Sequence, residues 1–286
     1  MRQSFILALC VAGTVALTGC QKPNGEGEVE DAMRDLNVID ETDLNDIMLT
    51  VSDPNEAVIH FRRTSAANPE RVDLKRGLAL SLIRSGAFEE SVPVWRAVAD
   101  SDEGTHSDRV DLADALLRSG EWDAAEAELN KIPPTFETYK RYRLEAIVAD
   151  SHENWDRADS FYEIAAGLTT RPAGVLNNWG YSLLTRGSLS QAERMFVRAL
   201  NADPNLFTAK NNLVLARSAQ RNYTLPVVQT TQIERATLLH TAALTAVRQG
   251  DINIARGLLQ QAIDTHPQHF EAAVSALNAL DNSENI

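Results

Sequence analysis

Apolar residues recur through most of this chain at spacings of three and four, the pattern of helices that bury one face. The pattern comes in pairs, because one helical stretch ends at a glycine and an apolar residue opens the next within two positions. Four such junctions have the same five-residue pattern, two apolar residues, two polar residues and a glycine. They lie at 82–86, 116–120, 183–187 and 246–250. Glycine readily takes the left-handed conformation that ends a helix in a tight turn. The sequence therefore predicts an all-α chain of helix–turn–helix units.

The junctions also recur at a fixed interval. Gly86 and Gly120 lie 34 residues apart, and Gly187 follows Gly120 after 67 residues, one short of two such intervals. A 34-residue helix–turn–helix period resembles the tetratricopeptide repeat. The resemblance implies a right-handed solenoid in which each unit packs on its neighbours.

The clearest unit spans residues 176–204. In the frame of the repeat, Gly180 and Ala192 take the small positions of its two helices, where we expect them to face each other. Pro204 cannot continue the second helix and ends the unit. The large aromatic residues fall at packing positions of this and other units, so we expect them in the core: Trp95, Trp122, Trp155, Tyr162 and Phe196.

Two prolines predict departures from the regular pattern. Pro93 falls inside the second helix of its unit, so we expect that helix to bend or to begin late. Pro226 takes a small position of a later second helix, and the residues after it show no helical period. The solenoid should therefore be interrupted near 222–231 and restart near Gln232.

A last amphipathic helix is predicted around 270–280. Its apolar residues Ala272, Ala273, Leu277 and Leu280 should face inward and close the open end of the stack. The organisation we expect is a signal peptide, an acidic flexible tether, a first repeat array, the break, and a final repeat unit with its capping helix. Their ranges are 1–19, 20–37, 38–221, 222–231 and 232–286.

The amino terminus carries a short apolar run at 5–17 behind Arg2, which suits a secretory signal and is too short to span a bilayer. The run closes at residues 17–20 with Leu-Thr-Gly-Cys, which resembles the bacterial lipobox. The resemblance implies that Cys20 is lipidated and becomes the first mature residue, and that Gln21 directs the protein to the periplasmic face of the outer membrane. The alternative is an ordinary cleaved signal that happens to end in a cysteine.

The net charge limits the classes of binding partner, and the cysteine content excludes a disulfide. The formal net charge of −13 argues against nucleic acid and against an anionic membrane surface, since both require a basic face. The membrane would then be reached through the lipid alone. The two cysteines are Cys10, inside the signal, and Cys20, so no thiol is left for a disulfide.

Catalytic and metal-binding patterns are missing from the sequence. It contains no G-x-S-x-G, no Walker loop and no H-E-x-x-H, and we predict neither an enzyme nor a cofactor beyond the lipid on Cys20. His266 and His269 form the one close histidine pair, which a polar turn between repeats explains better than a metal site.

The remaining candidate site is the concave groove. In this repeat family the first helix of each unit lines the groove, and its outward side chains are natural ligand contacts. Arginine and asparagine there could hydrogen-bond the backbone or a carboxylate of an extended peptide, although they could equally be ordinary exposed helix residues. The mapped polar positions are Arg76, Arg84, Asp114, Arg118, Arg143, Asn177, Tyr181, Asn211, His240 and Arg248. Their spacing does not match the carboxylate clamp of chaperone-binding repeats.

A narrower resemblance rests on four stretches: NNWGYSLL at 177–184, LPV at 225–227, RQGD at 248–251 and THPQHFEAA at 265–273. Together with the lipobox they resemble the TadD family, the tetratricopeptide-repeat lipoproteins of the tight-adherence (Flp/Tad) pilus machinery. The resemblance implies a scaffold that helps the outer-membrane secretin or its partners to assemble or localise. Two alternatives stay open: a pilotin or outer-membrane biogenesis lipoprotein of another system, and a periplasmic adaptor that recruits peptidoglycan enzymes.

Overall fold

The computed structural model describes residues 44–283, and within them every regular element is a helix. The described chain begins with helical residues 44–50 (α1). The helices that follow are α2 (Pro54–Ala67), α3 (Val72–Arg84), α4 (Phe88–Ala99), α5 (His106–Arg118), α6 (Trp122–Leu129), α7 (Tyr139–Ser151), α8 (Trp155–Gly167), α9 (Ala173–Thr185), α10 (Leu189–Ala202), α11 (Phe207–Ala219), α12 (Gln232–Arg248), α13 (Ile252–Thr265) and α14 (Glu271–Ser283). The predicted all-α class is confirmed.

The helices stack as a solenoid. Each packs mainly against the helices before and after it in the chain, as in the pairs α3–α4, α7–α8 and α9–α10. The first helices of successive units also meet, α5 with α7 and α9 with α11. The first helices therefore form one layer of the stack, as a repeat solenoid requires.

Four glycines make the turns that the sequence predicted. Gly86, Gly120, Gly187 and Gly250 all have positive φ, between 78° and 85°. Two further turns have no glycine. At these turns Glu153 and Arg221 take the left-handed conformation, with φ values of 56° and 59°. A side chain in this conformation is strained, so these two turns exist at some cost in stability.

The close approach of α9 and α10 depends on Gly180. A Cβ at this position would lie 2.6 Å from Cε1 of Phe196, far inside van der Waals contact. Phe196 itself is completely buried. Gly180 thus faces the Phe196 ring rather than Ala192, and Gly77 makes the same kind of contact with Phe61 of α2.

The aromatic residues divide into two groups. Trp95, Tyr162 and Phe196 are buried in the core as expected. The expectation is wrong for Trp122, which is 40% exposed, and for Trp155, which is only partly buried. Both are the first residues of their helices, α6 and α8, where the chain has just left the turn and less of the neighbouring helix covers them.

The proline inside α4 does not delay the helix. α4 begins at Phe88 and continues through Pro93 to Ala99, so a late start is wrong. Proline removes one backbone hydrogen bond. Burial of Val92, Trp95 and Val98 on the opposite side holds the turn in place.

The break at 222–231 is present, and its residues form no helix. Leu225 packs on the apolar cluster of α12–α14, whereas Val228 packs on the cluster of α9–α11. Across the break, the buried Lys210 of α11 pairs with Glu234 of α12 at 3.3 Å. The extended segment therefore replaces a second helix and seals the gap that this helix would have filled.

Helix α14 closes the stack as predicted. Ala273 and Leu280 are buried and Leu277 is partly buried, but Ala272 is exposed, contrary to expectation. Neighbouring residues of a helix point about 100° apart, so Ala272 and Ala273 cannot share the inward face.

The predictions about the signal peptide, Cys20, Gln21 and the tether at 20–37 fall outside the described residues. Within 44–283, no helix combines the length and the apolar character needed to cross a bilayer.

Gly180→Ala should destabilise the solenoid, because the new methyl group must displace the Phe196 ring. Overpacking of this kind costs about 1–3 kcal/mol. Gly257 of α13 is the matched control, since a Cβ there meets nothing within 4 Å. Gly257→Ala should raise stability by up to about 1 kcal/mol through helix propensity. Urea unfolding followed by circular dichroism measures both, and equal midpoints for Gly180→Ala and wild type would contradict the close approach.

Glu153→Gly should stabilise the protein by roughly 0.5–1 kcal/mol, because glycine relieves the left-handed strain at this turn. Glu163→Gly in the middle of α8 is the control, and it should lose about 1 kcal/mol. Thermal unfolding of the two variants shows whether each change raises or lowers the stability relative to wild type. Two losses of similar size would show that the Glu153 turn is not strained.

Candidate functional site

A cavity of 530 Å³ opens among α7, α9 and α11, with the starts of α6 and α8 beside it. Its apolar and aromatic lining consists of Trp122, Ile147, Trp155, Tyr162, Tyr181 and Phe207. Its polar lining consists of Asp150, Ser151, Asn177, Asn178, Ser182, Thr185, Thr208, Asn211 and Asn212. The cavity therefore offers ring surfaces and amide groups side by side.

Three of the predicted groove residues lie in this cavity: Asn177, Tyr181 and Asn211. Tyr181 is 54% exposed, so its ring is open to a ligand. The two amides are oriented by neighbours, because Asn212 Nδ2 donates to Asn177 Oδ1 at 3.0 Å and Thr241 Oγ1 donates to Asn211 Oδ1 at 2.8 Å. Both amides keep their NH₂ groups directed away from these bonds and able to donate to another acceptor.

Asp150 carries the cavity's carboxylate. It accepts hydrogen bonds from Tyr162 Oη at 2.7 Å and from Ser182 Oγ at 2.6 Å, and it thereby joins α7 to α8 and α9. Burial raises the pKa of Asp150 above its ordinary value. Burial, and next the Asp150 charge, also raise the pKa of Tyr162, which keeps its hydroxyl protonated as a donor.

A second polar network orients Trp155. Asp159 accepts from Trp179 Nε1 at 2.6 Å and from an Arg186 amine at 2.5 Å. The Arg186 guanidinium lies over the Trp155 ring, 5.5 Å from its centroid. Ion pair and ring contact together hold this side of the cavity in place.

Arg76 and Arg84, predicted as ligand contacts, instead join neighbouring parts of the chain. Arg76 binds both carboxylate oxygens of Asp108, at 2.8 and 2.9 Å, and also the Glu103 carbonyl. Arg84 donates at 2.8 Å to carbonyls at the end of α1 and just beyond it, those of Met48 and Ser52. These guanidinium groups stabilise the stack.

The middle of the groove is an ion-pair network centred on Asp114. Arg118, Lys140 and Arg143 lie 3.2, 3.3 and 3.8 Å from its carboxylate oxygens. Lys140 also pairs with Asp111. Because opposite charges are already close together here, Asp114, Arg118 and Arg143 are engaged within the protein.

The last two predicted residues lie away from the cavity. The His240 ring contacts the Phe270 ring at a tilt of 52°, with centroids 5.4 Å apart, and burial lowers the pKa of His240. Arg248 is exposed at the end of α12. The ten predicted positions therefore do not form one continuous site.

Sequence reasoning missed four residues that shape the cavity: Trp122, Trp155, Asp150 and Phe207. A usable signal existed for the tryptophans. Each directly follows a turn and is the first residue of a second helix. Neighbouring helices cover a side chain at that position only in part. Asp150 carried no such signal, since its partners Tyr162 and Ser182 are 12 and 32 residues away.

The rings, amides and hydroxyl groups of the cavity suit ligand binding. Ser182 donates to a carboxylate, and the cavity lining contains no histidine that could serve as its base. Among the described residues, no three His, Cys, Asp or Glu side chains are placed to hold a metal ion. The two histidines of the close pair have separate partners: His266 stacks on Phe270, and His269 hydrogen-bonds Glu271.

Comparison with known proteins identifies a tetratricopeptide repeat at residues 240–282, which covers the second half of α12, all of α13 and most of α14. No curated protein matches the sequence. Similar solved structures include the APC/C hetero-tetramer Cut9–Hcn1 (TM-score 0.55, 14% identity, 80% of this chain) and the human IFIT1 dimer with m7Gppp-AAAA (0.58, 15%, 81%). This chain spans 46% and 59% of the lengths of those two chains.

Identity this low shows the fold alone. The repeat match, the paired helices and the two solenoid neighbours agree on that fold. Tetratricopeptide repeats typically act as non-catalytic scaffolds for protein–protein interaction. The described chain is an all-α solenoid of helix pairs that contains a tetratricopeptide repeat at residues 240–282, and protein binding is the role typical of that repeat.

Proposed function

We propose that this chain is a lipid-anchored, non-catalytic scaffold that binds an extended segment of a protein partner in the cavity among α7, α9 and α11. The observation that carries the proposal is the joint exposure of rings and amides in that cavity. Tyr181 and Trp122 offer apolar surface to side chains. Asn177 and Asn211 lie beside them, where their amides can bond the backbone of an extended peptide.

The anchor is Cys20. The Leu-Thr-Gly-Cys sequence at 17–20 supports lipidation, and Gln21 supports the outer membrane, with the solenoid on the periplasmic side. Two or three acyl chains hold a protein firmly, because each buried methylene contributes about 0.8 kcal/mol. The net charge of −13 favours contact with the membrane through the lipid alone.

The partner is the secretin, or another component, of the tight-adherence pilus secretion apparatus. The support is the resemblance to the TadD family at 177–184, 225–227, 248–251 and 265–273. The first of these stretches lies in α9 and contributes Asn177 and Tyr181 to the cavity. The alternatives are assembly of another outer-membrane system, as by a pilotin, and recruitment of peptidoglycan enzymes.

Deletion of the gene should lower the amount of multimeric secretin and remove surface pili, because the scaffold would no longer assist assembly. Membrane fractionation, immunoblotting and electron microscopy measure these effects. Expression of the wild-type protein in trans should restore both. Normal secretin multimers and normal piliation in the deletion strain would overturn the pilus assignment.

Cys20→Ala should move the protein out of the membrane fraction, since the acyl chains can no longer be attached. Its circular dichroism spectrum should not change, because Cys20 precedes the described solenoid. Cys10→Ala is the matched control: it alters the apolar run and leaves the lipobox intact. A Cys20→Ala protein that stays in the membrane fraction would refute lipid anchoring.

A further inference from the structure

The lining of the cavity contains a carboxylate and no basic side chain. Among the described residues that line it, Asp150 is the one acidic side chain, and none is lysine, arginine or histidine. The hydroxyl groups of Tyr162 and Ser182, which donate to Asp150, are neutral. Each carboxylate oxygen has two acceptor sites, so Asp150 can accept further hydrogen bonds from a ligand.

The neighbouring arginines are engaged outside the lining. Arg186 pairs with Asp159 at 2.5 Å. Arg143 lies 3.8 Å from Asp114 and 6.0 Å from the centroid of the Tyr139 ring. Their charges weaken the field of Asp150 but place no hydrogen-bond donor on it.

Aromatic rings line the same cavity as this carboxylate. Trp122 and Tyr181 are 40% and 54% exposed, and Trp155 lies in the same lining. The faces of tryptophan and tyrosine rings attract cations, arginine more often than lysine. Trp155 already demonstrates this geometry, because one guanidinium lies over its ring at 5.5 Å.

We propose that the cavity binds an arginine side chain of the partner, with its guanidinium between the exposed rings and Asp150. The inference rests on the proposed function, in which a protein partner occupies this groove, and it names the chemistry of the anchoring residue. Guanidinium suits the site because it is planar, stacks on aromatic rings and bonds carboxylate oxygens in pairs. The volume of 530 Å³ also admits the residues that flank the arginine.

The same features exclude an acidic anchor. A glutamate or a chain-terminal carboxylate would meet Asp150 and find no basic side chain in the lining. The cost of placing like charges close together in a partly buried site is large. The cavity thus favours a positively charged side chain, whereas a carboxylate-binding groove favours a negatively charged group.

Three short peptides test the inference. Each is acetylated and amidated, has alanine and glycine at the flanking positions, and carries arginine, citrulline or glutamate at its centre. Citrulline has the shape of arginine without its charge. Isothermal titration with the full chain should show the arginine peptide binding about tenfold more tightly than the citrulline peptide, with the glutamate peptide weakest.

Asp150→Asn should reduce the preference for arginine over citrulline to about twofold or less, because it removes the charge and keeps the shape. Asp123→Asn is the matched control, since the Asp123 side chain is fully exposed and lies outside the cavity lining. It should leave the preference unchanged. Trp122→Ala provides a second test that leaves the Asp150 bonds intact, and it should weaken binding of the arginine peptide several-fold.

Equal binding of the arginine and citrulline peptides, or no binding of any peptide at millimolar concentration, overturns the inference. A full arginine preference in Asp150→Asn overturns it too. These outcomes are separate from the pilus assignment. If the arginine peptide is preferred but the deletion strain has normal pili, the arginine site stands and the pilus assignment is wrong. If the arginine peptide is not preferred but the deletion strain lacks pili, the pilus assignment stands and the arginine site is wrong.

Discussion

The stack depends on helices that approach more closely than ordinary side chains allow. Where α9 crosses α10, the Phe196 ring occupies the space that a Cβ of Gly180 would need. Completely buried alanines take corresponding positions in other units, as at Ala79, Ala113 and Ala146. Small residues at the crossings let large ones such as Trp95 fill the spaces beside them, and this alternation supports dense packing. The cavity in turn depends on the spacing of α7, α9 and α11 that these crossings set.

Charge serves two purposes on the concave side. Toward α3 and α5 it is structural: Arg76 with Asp108 joins successive units, and the partners of Asp114 come from α5 and α7. Around Asp150 the lining contains no basic side chain, and the bonds that hold it come from hydroxyl groups. A single surface thus contains a region of closely paired charges and a region whose lining carries a carboxylate and no basic side chain.

Local pattern was enough to predict most of the helices and the four glycine turns. Gly187 could be assigned to a turn because a left-handed residue favours glycine, whereas Glu153 and Arg221 gave no such signal. Pro226 correctly indicated the break, because proline cannot occupy the interior of a helix without loss. Pro93 did not delay the start of α4, since burial of Val92, Trp95 and Val98 offsets the lost backbone hydrogen bond.

The candidate site was harder to predict from sequence. Asn177, Tyr181 and Asn211 follow from the frame of the repeat, since the frame says which side of a helix faces the groove. Whether an arginine there is free to bind depends on partners far away in the chain. Arg84, for example, is bonded to Met48 and Ser52, which are 36 and 32 residues distant. The repeat period contains no information about such pairings.

At the non-helical segment 222–231, side-chain bonds as well as apolar contacts join two successive parts of the solenoid. In a linear array, stability is a sum of unit terms and nearest-neighbour couplings, so the weakest coupling sets where the array can come apart. Here the coupling is both apolar and polar. Val214 of α11 belongs to the apolar cluster of α12–α14, on which Leu225 also packs. Lys210 meets Glu234, Tyr223 meets Asp251, and Gln249 donates to the Ser218 carbonyl. Directional bonds fix an angle better than apolar contact does, while they add less free energy on burial. The polar bonds therefore hold the C-terminal block at a defined angle, and the apolar contacts of Val214 and Leu225 couple its stability to that of the helices around the cavity.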